Sequence, residues 1–266
     1  MWSMKSIKRM YWIGAIVAII LFGWLVYADA SFLNNQWENV TVFDGYLQSG
    51  NTWWGNTNED QETEPGTSIG QDWDLEGFFY NDKKDDVALV GGFDFVGGND
   101  WVGSGDIFID TDTSTNYYDY VMDLDFQNNG KYTFTVYQNN GTIAYDTTHG
   151  GPAGQTQGQP WVMSNPGTAT IVQGYDNIAM KYINNKSDKQ IGGGLTGGKH
   201  NAVVVDVSFL NGSGYNLYNA IECGNDITHG QVGGGASGQV PEPITLVLMG
   251  TGLLYLGIRR RKHNGN

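Results

Sequence analysis

Oxygen-bearing side chains alternate along one short stretch of the chain, with the residue types that bind a hard metal ion. They are Asp110, Asp112, Ser114 and Asn116. Carboxylate, hydroxyl and amide oxygens are the ligands that Ca²⁺ takes in proteins, but an EF-hand loop would have Gly and Glu where this chain has Thr115 and Val121. The stretch therefore predicts either a Ca²⁺ site or a solvated acidic loop.

A tryptophan pair, Trp53 and Trp54, lies in a polar part of the chain. Exposed aromatic side chains stack on sugar rings, whereas the same pair folded inwards would close one end of a hydrophobic core. The pair therefore indicates either a sugar contact or a core cap, and the sequence leaves both open.

Other candidate catalytic groups have simpler explanations. Asp123 and Asp125 alternate on one face of a predicted strand, which favours a solvent-facing row over the paired acid and base of a glycosidase. His149, His200 and His229 lack the close spacing of zinc ligands. The sequence contains no nucleophile elbow, P-loop or dinucleotide-binding motif. We therefore assign no catalytic residue and predict that the chain is not an enzyme.

The first 30 residues have the layout of a secretory signal peptide. Three basic residues precede an apolar run over residues 11–27, and the small residues Ala28 and Ala30 follow. We expect export through the Sec machinery and cleavage between Ala30 and Ser31, with an uncleaved anchor as the alternative.

The other end combines an apolar run with a basic block. Residues 244–258 are apolar, and this run is shorter than the roughly 20 residues that span a bilayer comfortably. The basic residues 259–262 resist translocation, which favours a transmembrane helix over a buried core helix and keeps the block in the cytoplasm. Before the run, Pro241 and Pro243 flank Glu242 and hold the chain extended and accessible.

This end of the chain resembles the sorting signal of PEP-CTERM proteins. The residues that carry the resemblance are Val240, Pro241, Glu242, Pro243, Arg259, Arg260 and Arg261, with the apolar run between them. The resemblance implies recognition by an exosortase, which removes the tail near the Pro-Glu-Pro motif after a transient stay in the inner membrane. It implies a substrate rather than a catalyst, located finally at the cell surface or outside the cell.

Residues 31–240 are strongly acidic, because they contain 26 of the 28 acidic residues, seven of the 14 basic ones and no arginine. This charge repels phosphate backbones, so nucleic acid is excluded as a partner. An aromatic content of 13% supplies a hydrophobic core, and the single cysteine excludes an intrachain disulfide.

Residues 118–126 alternate polar and apolar side chains, as a half-buried strand does. Asn-Asn-Gly turns follow at 128–130 and 139–141, which predicts a three-stranded meander ending at residues 142–145. Further predicted strands are 74–80, 87–95, 105–110, 202–210 and 216–223. We therefore predict an all-β, antiparallel sandwich or jelly-roll over residues 31–229, with polar surface loops at 51–70 and 150–160 and a glycine-rich linker at 230–239.

Several short motifs of the central region resemble those of one group of PEP-CTERM proteins from bacterial surfaces. They lie at residues 59–66, 73–79, 89–95, 105–110 and 222–226. The resemblance implies shared fold markers without an assigned chemistry. We expect a structural protein of the cell surface, biofilm or exopolysaccharide matrix, and the alternative is a carbohydrate-binding module.

Overall fold

A computed structural model describes residues 31–43, 59–63, 67–99, 102–111, 118–128, 131–146, 160–212 and 214–233. Antiparallel strands make up nearly all of the regular structure in these ranges, as the all-β prediction requires. None of the helices there has the length and apolar character needed to cross a membrane. The predicted signal at 1–30 and the predicted membrane helix at 244–258 lie outside the described residues.

The strands are short and follow one another with few helical turns. In chain order they are β1 Glu38–Asn39, β2 Thr41–Val42, β3 Leu75–Asn81, β4 Asp86–Gly91, β5 Ile107–Asp110, β6 Tyr120–Asn128, β7 Lys131–Gln138, β8 Ala144–Asp146, β9 Val162–Asn165, β10 Thr170–Ile171, β11 Ile178–Ala179, β12 Lys181–Lys186, β13 His200–Asp206, β14 Tyr215–Ala220 and β15 Ile227–Val232. The α-helix α1 covers Asp188–Ile191, and 3₁₀ turns cover Gln71–Trp73 and Ser208–Leu210.

The strands form two large sheets and one small ribbon. The first sheet has the order β1-β3-β4-β13-β12, and the second has the order β10-β7-β6-β5-β14-β15-β2 with β11 beside β7. Strands β8 and β9 pair with each other. Side chains from both large sheets meet in one hydrophobic cluster, whose members include Phe78, Leu89, Val203, Ile109, Met122 and Leu217. The two sheets therefore face each other across a common core.

The outer face of the five-stranded sheet is also buried. Leu33, Ile191 and Leu195 pack there against Phe79 and Val90. A sheet that is covered on both faces needs apolar side chains at successive positions. This explains why β4 and β13 contain uninterrupted runs of aliphatic residues.

The β8–β9 ribbon covers part of the outer face of the eight-stranded sheet. Trp161 and Ile143 pack there against Phe108 and Val121. From its alternation, β6 was predicted to have a solvated face that includes Val121 and Asp123. The prediction is wrong for Val121, which is fully buried, because residues 143 and 161 cover that face.

The predicted hairpin is confirmed, but the three-stranded meander is wrong. Strands β6 and β7 pair up to the register Asn128 with Lys131, whereas β8 pairs with β9 and not with β7. The Asn139 side chain accepts a hydrogen bond from the Gly141 amide and donates hydrogen bonds to Tyr118 and Tyr145. These bonds turn the chain away from the sheet, and β10 and β11 take the place beside β7.

The last strand extends past the predicted end of the β domain. Strand β15 continues to Val232, so Gly230 belongs to the sheet and not to the glycine-rich linker predicted for 230–239. Gly230 pairs with Leu217 and lies against the Phe78 ring of the opposite sheet. A methyl group there would lie 2.9 Å from the Phe78 Cβ, closer than van der Waals contact allows.

We therefore predict that Gly230→Ala destabilises the protein by about 1 to 3 kcal/mol through overpacking of the core. Chemical denaturation of the purified full chain measures the change. The matched control is Gly235→Ala in the glycine-rich spacer, for which we expect the free energy of unfolding to stay within about 0.5 kcal/mol of wild type. Equal stability of the two variants would contradict the packing of Gly230.

Candidate functional site

Three of the motifs singled out in the sequence converge where β3 and β13 begin and β4 ends. They are the segment 59–63, residues 74–76 and the turn 222–226 between β14 and β15. The segment 59–63 was predicted to be part of a polar surface loop, and this prediction is wrong. Glu59, Gln61 and Glu62 are at most 5% exposed.

Asp74 holds the segment 59–63 against the sheet. Its two carboxylate oxygens accept hydrogen bonds from the backbone amides of Gln61 and Glu62, at 3.1 and 3.3 Å. The side chain is completely buried, and burial raises the pKa of Asp74 well above its usual value, helped by the neighbouring Glu76 and Asp60 carboxyls. Asp74 therefore holds the acidic segment 59–63 next to the acidic residues Asp74 and Glu76.

Asp226 joins the turn between β14 and β15 to the beginning of β3 in the other sheet. Its Oδ2 accepts a hydrogen bond from the Leu75 amide, and its Oδ1 has no hydrogen-bond partner among the described residues. Burial raises the pKa of Asp226 well above its usual value, and the charges of Glu62 and Asp74 add to this effect. The site thus contains carboxyls from both sheets.

His200 lies between two carboxylates. Its Nδ1 is 2.7 and 2.8 Å from the two oxygens of Glu76, and its Nε2 is 2.9 Å from Oδ1 of Asp188 in α1. Although burial disfavours the charged ring, these two partners raise the pKa of His200 above its usual value. Because both ring nitrogens lie beside carboxyl oxygens, the surroundings favour the protonated imidazole, which donates from both nitrogens.

Glu76 is the acidic partner of His200 inside the sheet. Burial raises the pKa of Glu76 to about 7, although the hydrogen bond from His200 acts in the opposite direction. A register shift between Leu75 and Gly77 marks a β-bulge at this position. The bulge places both Leu75 and Phe78 in the core between the sheets, and Glu76 faces His200.

Asp60 completes the acidic group from a more exposed position. It accepts hydrogen bonds from the amide and the hydroxyl of Thr196, the latter at 2.9 Å. One carboxylate oxygen from each of Asp60, Asp74 and Glu76 lies within 4.8 Å of the other two. Asp60 and Glu76 also line a cavity of about 260 Å³. The arrangement can bind a cation, and the sequence analysis did not identify it.

The structure tests few of the site residues predicted from sequence. Asp110 ends β5, as predicted, but its three companions in the predicted Ca²⁺ site lie outside the described residues. Other predicted site residues outside the described ranges are Trp53, Trp54, Ala28, Ala30, Val240, Pro241, Glu242, Pro243, Arg259, Arg260 and Arg261. Asp123 is half-buried rather than solvated, while Asp125 is exposed.

Asp106 is a second buried acid, separate from the group around Asp74. Its oxygens accept hydrogen bonds from the Leu124 amide at 3.0 Å and the Met163 amide at 2.7 Å, so it fastens β9 to β6. Burial raises the pKa of Asp106 to about 8, with a further contribution from the charge of Asp123.

This pKa predicts a loss of stability at rising pH. A carboxyl whose pKa is higher in the folded than in the unfolded chain stabilises the fold below its unfolded value near 3.8, and this contribution is lost as the pH rises towards about 8. We expect Asp106→Asn to reduce the slope of unfolding free energy against pH between 5 and 8, by up to about 1.4 kcal/mol per pH unit. Denaturation of the full chain in EDTA measures the slope, with Asp125→Asn as the exposed control. Equal slopes in wild type and Asp106→Asn would contradict the assignment.

The comparison with known proteins concerns the C-terminal part of the chain. Residues 239–262 match the family model of the PEP-CTERM protein-sorting motif. No curated protein and no solved structure matches the chain. The match covers the Pro-Glu-Pro residues, the apolar run and the basic block, so the resemblance found in the sequence is confirmed. The chain carries a PEP-CTERM protein-sorting motif, the signal by which an exosortase processes a protein at the membrane on its way to the cell surface.

Proposed function

We propose that this protein is a structural component of the cell surface or extracellular matrix, associated with exopolysaccharide in a biofilm, and not an enzyme. The observation that carries the proposal is the sorting motif at residues 239–262, which supports delivery of the β domain to the outside of the cell. The acidic charge of residues 31–240 suits a hydrated surface layer and opposes binding to nucleic acid.

The construction of the β domain supports a structural role. The outer face of the five-stranded sheet and part of the outer face of the eight-stranded sheet are covered, so apolar side chains serve the core. Asp74, Asp106 and Asp226 each bind backbone amides and connect separate elements. In this proposal the buried polar groups hold the fold together and turn over no substrate.

The sorting step predicts a processing defect in a Glu242→Ala variant. We expect the full-length form to accumulate in the membrane fraction, because the substitution removes the central residue of the motif that the exosortase recognises. Intact mass of the protein in membrane and extracellular fractions of the native host measures the effect. The control is Asn264→Ala, beyond the matched residues, for which processing should equal that of wild type. Normal processing of Glu242→Ala would reject the role of this motif.

A carbohydrate-binding module is the second candidate function. The cavity of about 260 Å³ favours it, because carboxylate, amide and hydroxyl groups of Glu59, Asn39 and Thr41 line the space beside Phe43. Polar groups near an aromatic ring are typical of sugar sites. Phe43 is followed in the chain by the segment that contains Trp53 and Trp54.

The two candidates predict different sugar binding. Under the second candidate, Trp53→Ala with Trp54→Ala abolishes retention on exopolysaccharide and leaves the circular dichroism spectrum unchanged. Under the structural proposal, the wild-type protein binds no defined sugar on a glycan array. Turnover of a labelled polysaccharide by the wild type would reject both, because it would identify an enzyme.

A further inference from the structure

We propose that a hard divalent cation, preferably Ca²⁺, binds at the cavity beside β3 with Asp60, Asp74 and Glu76 as its carboxylate ligands. This site is separate from residues 110–116, for which the sequence predicts either a Ca²⁺ site or a solvated loop. It goes beyond the proposed function, which rests on the sorting motif, because it assigns a ligand to the β domain.

The distances fit the ion. One oxygen from each of the three carboxylates lies within 4.8 Å of the others. Ca²⁺ takes oxygen ligands at 2.3 to 2.6 Å, so oxygens this close together can share one ion. Ca²⁺ also accepts irregular sets of six to eight oxygens, whereas Mg²⁺ demands a near-ideal octahedron and usually keeps several of its waters. The oxygens of Asp74 accept one amide each and retain acceptor capacity for a metal ion.

The density of buried carboxyls favours a bound cation. Glu59, Glu62 and Asp226 are buried beside the three proposed ligands, and their oxygens add to the negative potential. His200 is a basic side chain that is hydrogen-bonded to this group, through Glu76. Burying several carboxyls is costly unless protons or cations compensate them. A divalent ion compensates two charges at the point where the three oxygens converge.

A separate observation also points to a ligand. Asp226 is 0% exposed, and its Oδ1 accepts no hydrogen bond from any described residue. Its Oδ2 is bonded to the amide of Leu75, the residue between Asp74 and Glu76, and the charges of Glu62 and Asp74 act on it, so this carboxyl lies beside the same acidic group. Buried oxygens of this kind normally have a partner, which a metal ion or its coordinated water supplies.

The cavity has room for a hydrated ion. Its volume of about 260 Å³ exceeds the roughly 30 Å³ of one water molecule. Ca²⁺ takes six to eight ligands, so three carboxylates leave positions for water and for neutral oxygens such as those of Asn39 and Thr41 on the cavity wall. The backbone at Gly193 and Gly194 adds no side chain to this space.

The test is Ca²⁺ binding to the full chain, purified in detergent, stripped with EDTA and dialysed. We expect calorimetric titration with CaCl₂ to give at least one bound ion per chain. The melting temperature should rise by about 5 °C or more at a Ca²⁺ concentration about 100 times Kd. MgCl₂ should bind at least tenfold more weakly. Absence of both heat and a melting shift with CaCl₂ would overturn the proposal, and equal affinity for Mg²⁺ would overturn the preference for Ca²⁺.

Three variants locate the ion. Asp60→Asn should weaken Ca²⁺ binding at least tenfold with an unchanged circular dichroism spectrum, because Asp60 is only partly buried and Asn keeps an acceptor for Thr196. Asp72→Asn is the matched control, since Asp72 is exposed and pairs with Lys199, and binding should equal that of wild type. Loss of binding in Asp110→Asn with full binding in Asp60→Asn would overturn the proposal and place the ion in the stretch 110–116.

Discussion

Three fully buried aspartates hold separate parts of this protein together through backbone amides. Asp74 binds the amides of Gln61 and Glu62, Asp226 binds that of Leu75, and Asp106 binds those of Leu124 and Met163. Each amide would otherwise be a buried donor without an acceptor, at a cost of about 1 to 3 kcal/mol. The same bonds place carboxyl groups in the interior, where burial raises their pKa and disfavours the charged form, and the rest of the structure has to accommodate them.

These aspartates lie at the joins between layers. Asp106 fastens the β8–β9 ribbon to the eight-stranded sheet, Asp74 fastens the segment 59–63 to the five-stranded sheet, and Asp226 connects the two sheets. The hydrophobic clusters supply most of the burial, but apolar contacts are not directional, whereas carboxylate bonds fix one register between elements. An exported chain with one cysteine has no disulfide for this purpose, and burial raises the pKa of the Cys223 thiol, which keeps it in its unreactive form.

The sequence predicts the parts of the fold that depend on neighbouring residues. Alternation and the Asn-Gly turn predict the β6–β7 hairpin, because period and turn chemistry are local properties. The acidic site depends on partners that are 12 to 151 residues apart, so Glu59 and Glu62 have the composition of a surface loop although they are buried. The bulge between Leu75 and Gly77 also interrupts the alternation that would have assigned Glu76 to a face. The motifs at 59–66, 73–79 and 222–226 were the available signal, since each contains acidic residues and all three belong to one resemblance.

The site also fixes the strand that leads towards the sorting motif. Strand β15 directly follows the turn 222–226, and its pairing with β14 and β2 extends to within seven residues of the matched region at 239. Asn225 exchanges two hydrogen bonds of 2.9 Å with the backbone of Ser68, and Asp226 binds the Leu75 amide. Ladder bonds along β15 and side-chain bonds at its start therefore hold this strand in the domain. Because those side-chain bonds connect the last strand to the five-stranded sheet, release of β15 would also open the acidic site, which links the integrity of that site to the part of the domain nearest the tail.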